Sequence, residues 1–87
     1  MKRSFAKNWG EWSKLIRRVK EQNPDLREGQ AVVLALKKID KDIAIAYHGS
    51  LFDPFENDSR VSDYISRILA EWRIRYESEA EGHAQGH

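Results

Sequence analysis

Phe5, Trp9, Trp12, Ile16 and Val19 recur at steps of four, three, four and three, with Leu15 beside them. That spacing puts five apolar side chains, three of them aromatic, on one face of a helix. A stripe this large has to be buried, so the first quarter of the chain dictates a helix packed on a core. Ser4 is the expected N-cap, and Asn23-Pro24 is the expected stop, because the residue before a proline is pushed out of the α region. The first helix is therefore expected from Ser4 to Gln22.

A second stripe follows late in the chain, through Val61, Ile65, Ile68 or Leu69, Trp72 and Tyr76. It predicts a last helix that begins near Ser59 or Val61 and fades near Ser78. Residues 79–87, with Gly82 and Gly86, read as a disordered tail, which leaves residues 1–78 as one helical domain.

The middle is less direct. Gln30 to Leu36 is apolar nearly all round, which suits a buried helix and a buried strand equally. One alternative is a central hairpin, Val32 to Leu36 against Ile43 to Tyr47, which would make the fold α+β. The connecting residues 37–42 lack the Asn-Gly or Asp-Gly pair that favours a tight hairpin. A helix from Glu28 to Ile39 is preferred, because leucine and alanine are good helix formers and Lys37-Lys38 suit a helix C-terminus. Asp40 then caps a short helix through Ile43, Ala44 and Tyr47, and Gly49 supplies the left-handed residue that ends it. In the loop that follows, Asp53-Pro54 and Asn57-Asp58-Ser59 mark turns, and Phe52 and Phe55 are apolar enough to pin it to the core. The expected fold class is all-α, a compact bundle of three to four helices.

The chain has 87 residues and no cysteine, so one small domain must be held by packing alone, without disulfides. No uninterrupted apolar stretch reads as a signal peptide or membrane span, and a soluble cytoplasmic protein is expected. The formal charge of +1 conceals an asymmetry. From Met1 to Asn23 seven basic side chains face only Glu11 and Glu21, whereas from Asp42 to Asp63 five acids face only Arg60. Such a chain can pair its own halves, associate head to tail, or offer its basic face to a polyanion.

Three segments carry a resemblance. Pro24-Asp25-Leu26-Arg27-Glu28-Gly29-Gln30-Ala31, then Gly49-Ser50-Leu51-Phe52-Asp53-Pro54-Phe55, then Asp58-Ser59-Arg60-Val61 resemble a family of short bacteriophage and prophage proteins. That family is marked by Leu-Arg-x-Gly-Gln-Ala, Gly-Thr, Asp-Pro-Phe and Asp-Ser-Arg. The likeness covers roughly Phe5 to Leu69. It departs at Leu34, where the family favours asparagine, at Lys41 and Ser62, where it favours proline, and at Glu56, where it favours tyrosine. Proline at those two positions would suit the first turns of helices, in keeping with caps at Asp40 and near Ser59. The resemblance implies a phage or prophage origin and brings no activity, cofactor or substrate with it.

The candidate chemistry is sparse. Asp53, Glu56, Asn57, Asp58 and Asp63 offer oxygen ligands but lack the Asp-x-Asp-x-Asp-Gly spacing of a calcium loop, so they read as turn formers and first-turn acids. Arg60 is expected to pair with Asp53 or Asp58 and lock the loop, with a ligand contact as the alternative. His48, Ser50 and Asp53 are neighbours in sequence, which does not make a triad, and His48 reads as a cation at a helix C-terminus. His83 and His87 have the spacing of a helical metal pair, but two glycines argue against a helix there. Gly29 stands alone and reads as a helix-start residue rather than part of a phosphate loop. No metal, cofactor or catalytic residue is expected.

A binding protein is the resulting expectation, with Asp53, Phe55, Asp58 and Arg60 meeting a protein partner. The alternative is a nucleic-acid-binding accessory protein using Lys14, Arg17 and Arg18 of the basic first helix. The stretch from Asp42 to His48 is too short and apolar to serve as a recognition helix. Trp9 and Trp12 are claimed by the core, which argues against a membrane surface.

Overall fold

The structure, a computed structural model, describes residues 5–77. The expected cap Ser4, the Phe5 side chain, and the expected tail with His83 and His87 lie outside what it describes. The elements are helices α1 (Phe5–Gln22), α2 (Glu28–Ile39), α3 (Lys41–Tyr47) and α4 (Val61–Trp72). A single 3-10 turn, Asp58–Arg60, leads into α4, and a π turn, Arg73–Glu77, extends it. Among the described residues there is no strand, so the fold is all-α. No described helix is long and apolar enough to cross a membrane.

The α1 stripe does what its spacing requires. Trp12 and Val19 are buried, and Trp9, Leu15 and Ile16 pack partly buried against the core. Asn8, on the same face, is also buried. Lys7, Glu11, Lys14, Arg17 and Arg18 stay in water. Asn23-Pro24 stops the helix, and a short connection folds α2 back along α1, where the Trp12 Nε1–H donates to Val32 O at 3.0 Å.

The ambiguous middle is helical because it is covered on nearly every side. Ala31, Val32, Val33, Ala35 and Leu36 are all buried, a load that a strand without a partner sheet could not carry. Asp40 ends α2 and caps α3: its Oδ1 accepts the Ile43 N–H at 3.2 Å. Its Oδ2 accepts from Trp72 Nε1 at 2.9 Å and Arg75 Nη1 at 3.3 Å. One carboxylate therefore joins the start of α3 to the end of α4. Gly49, at φ +75°, supplies the left-handed residue after α3.

The α4 stripe buries the expected Ile68 and Trp72 and adds Tyr64 at its centre. Tyr64, Ile68 and Trp72 are buried, while Val61, Ile65, Leu69 and Tyr76 flank them. The spacing of Val61, Ile65, Ile68 and Trp72 does not include Tyr64, which the fold nonetheless buries. In the core the Trp12 ring meets Trp72 edge-on at 5.3 Å and Tyr64 at 6.3 Å. Trp9 and Tyr47 continue the chain of edge-on contacts at 5.7 and 6.3 Å. Each such pair contributes about 0.5–1.5 kcal/mol beyond its buried area. These rings tie α1, α3 and α4 together and set the loop between α3 and α4 on the side of the bundle where α2 begins.

Candidate functional site

That loop, residues 48–60, is fastened first to the N-terminus of α2. A helix start leaves backbone N–H groups without helical acceptors. Here the Gly29 N–H donates to Asp58 Oδ1 at 3.0 Å, and the Arg27 N–H donates to Gln30 Oε1 at 3.3 Å. The Arg27 guanidinium reaches the carbonyl of Phe55 at 2.7 Å. Pro54 is fully buried, and its carbonyl lies where a side chain at Gly29 would begin. Gly29 is thus more than a helix-start residue: the loop backbone needs its missing Cβ.

The loop is also fastened to itself. Asp53 Oδ2 accepts the Gly49 N–H at 2.8 Å and its Oδ1 accepts the Phe55 N–H at 3.0 Å. Ser50 Oγ accepts the Phe52 N–H at 3.2 Å. Asn57 Oδ1 accepts from both the Ser59 N–H, at 3.0 Å, and the Ser59 hydroxyl, at 2.6 Å. Phe52 and Phe55 pack partly buried against the core, and the Arg67 guanidinium sits over the Phe52 ring at 4.3 Å from its centroid. Between these fastenings lies a half-open hollow of about 560 Å³, walled by His48, Ser50, Asp53, Phe55, Asn57 and Arg60.

The four expected binding residues therefore come together in one loop with unequal roles. Asp53 and Asp58 spend their carboxylates on backbone N–H groups, and Phe55 is half-buried, so these three shape the site. Arg60 corrects its expectation. Among the described residues no ion pair joins it to Asp53 or Asp58, and the loop is locked instead by Arg27. Both acids are engaged by backbone donors instead: Asp58 accepts the Gly29 N–H, and Asp53 accepts the Gly49 and Phe55 N–H groups. His48 Nδ1 lies 3.8 Å from Asp53 Oδ2, and its ring is largely in water. Among the described residues His48 has no hydrogen bond to Ser50, whose Oγ serves the Phe52 N–H.

Sequence reasoning missed Arg27 and Leu51. Leu51 is 83% exposed, the most exposed of the large apolar side chains described, in the turn that borders the hollow. Its only signal was an apolar residue following Gly49-Ser50, where no periodicity applies. On α1, Lys14, Arg17 and Arg18 are exposed and make no ion pair among the described residues, although Glu11 and Glu21 lie on the same outer side. Elsewhere, burial raises the Tyr64 phenol above its ordinary value, with the Asp53 and Tyr47 charges adding to the effect. Burial, then the charge and hydrogen bond of Glu71, raise Tyr47. Among the described residues no three His, Asp or Glu side chains converge as metal ligands would. No family model, curated protein or solved structure matches this chain.

Proposed function

We propose that the protein is a small non-enzymatic binding module of phage or prophage origin that meets a protein partner, in the bacterial cytoplasm, through the face formed by residues 48–60. The observation that carries this reading is Leu51, exposed on a loop whose backbone is tied down on both sides of it. An apolar side chain displayed on a fixed loop has little freedom left to lose on binding, which is what preorganisation supplies to an interface. The hollow beside it adds polar groups that fix orientation. The origin rests on the likeness of the Leu-Arg-x-Gly-Gln-Ala, Asp-Pro-Phe and Asp-Ser-Arg segments to short phage and prophage proteins.

Affinity capture from nuclease-treated bacterial lysate tests the reading. The wild-type chain is expected to retain a discrete protein, and Leu51→Glu to lose it while keeping the same helical circular dichroism and melting temperature. An unchanged set of captured proteins would remove Leu51 and its loop from the interface. A second reading, nucleic-acid binding along α1, is favoured by the exposed Lys14, Arg17 and Arg18 without acidic partners. Recovery of nucleic acid that is lost on charge reversal at those three positions would establish it instead.

A further inference from the structure

We propose that the outer face of α4 is a self-association surface, on which a second copy of this chain packs with its own α4 antiparallel. This goes beyond the loop-face reading and stands independently of it.

The face is open to a second helix. Ser62, Ser66 and Ala70 are exposed at steps of four, on the side away from the buried Tyr64, Ile68 and Trp72, so no long side chain holds a neighbour off. Asp63, Ser66, Arg67 and Ala70 also border a shallow hollow of about 450 Å³ whose other wall is the half-buried Phe52. One turn beyond Ala70, Ile74 is exposed.

The charges along one edge of this face decide what covers it. Arg60, Asp63, Arg67 and Glu71 follow one another at steps of three or four residues, so they share an edge, and their signs alternate. Asp63 and Arg67 stand one turn apart yet form no ion pair among the described residues; the Arg67 guanidinium rests instead over the Phe52 ring, 4.3 Å from its centroid. Glu71 accepts the Tyr47 hydroxyl at 3.2 Å and stays exposed.

An order of plus, minus, plus, minus is complementary to itself when reversed. In an antiparallel pair with its two-fold axis at Ser66, that serine meets its own copy and Ser62 meets Ala70 of the second copy. Arg60 then falls opposite Glu71 of the second copy, and Asp63 opposite Arg67, each to within about 3 Å along the axis at roughly 1.5 Å per residue. A parallel pair would set each charge beside its own copy, which repels. Charge therefore selects both the occupant and its direction. One helix face and part of one ring make a small contact, so the dimer is weak and forms as concentration rises.

Sedimentation equilibrium of the full chain from about 10 µM to 1 mM tests the assignment. The apparent mass is expected to climb from monomer to dimer over that range. D63R and R67D, each checked for fold by circular dichroism, are expected to weaken dimerisation by about tenfold, because each sets like charges across the two-fold axis twice. The double variant D63R/R67D is expected to recover association, since the swapped order is again complementary when reversed. Ser66→Arg is expected to stay monomeric, with two guanidinium groups meeting at the axis. A monomer at every concentration would overturn the assignment, and so would a double swap no better than its single variants. Dimerisation that survives Ser66→Arg but is lost with Leu51→Glu would move the contact to the loop and overturn it as well.

Discussion

Two glycines show how differently one residue type is used here. A Cβ on Gly29 would run into the Pro54 carbonyl, whereas one on Gly10, inside α1, would meet nothing within 4 Å. Gly29→Ala is therefore expected to destabilise the fold by about 1–3 kcal/mol through overpacking. Gly10→Ala should stabilise it by about 0.5–1 kcal/mol, because alanine holds a helix better. Urea unfolding of the pair checks both signs in one experiment. Tyr64 supplies a pH dependence. Its phenol is raised by burial, Asp53 and Tyr47, so the folded chain keeps a proton that the unfolded chain releases near the ordinary value of about 10. The unfolded state then binds fewer protons, and stability is lost as pH rises from about 10 towards the folded value. Tyr64→Phe should flatten the fall of the melting temperature over that range, and an unchanged slope would place the loss elsewhere.

At the scale of elements, two helices begin on acids, and for one of them the acid comes from an unexpected quarter. Asp58 opens the turn leading into α4, yet its carboxylate caps α2 through the Gly29 N–H. Asp58→Ala should cost about 0.5–2 kcal/mol, with faster hydrogen exchange concentrated at the Gly29 amide rather than in α4. Asp40→Ala should cost at least as much, since it removes the cap of α3 and the acceptor of the Trp72 indole together. Helix bounds were legible in the sequence where the chain signals them locally. Asn23-Pro24 ended α1, Asp40 separated α2 from α3, and Gly49 followed α3, each by a rule that acts within a few residues. The Arg27, Gly29 and Asp58 junction was not legible in this way. Its contacts span 28 or 29 residues and use backbone atoms, which carry no sequence pattern. The sequence marked the loop as a candidate site, but it could not show that Asp53 and Asp58 serve the fold while Arg60 is left over.

Across the whole molecule, the charge asymmetry of the sequence survives folding. Lys14, Arg17 and Arg18 on α1 form no ion pair with the acids of the loop among the described residues, so the two halves do not neutralise each other through these groups. Both faces remain available for partners, and they differ in how salt acts on them. Three phosphate contacts through those α1 side chains would release about three counterions, so a fourfold rise in salt would weaken binding by roughly 40-fold. A contact built on an apolar anchor such as Leu51 has far less charge to screen. The loop-face reading therefore predicts that raising salt from about 50 to 200 mM weakens partner capture by less than about tenfold. It also predicts that replacing Lys14, Arg17 and Arg18 by glutamine leaves capture intact. A steep salt slope that disappears in the triple variant would move the working surface of the protein from the loop to α1.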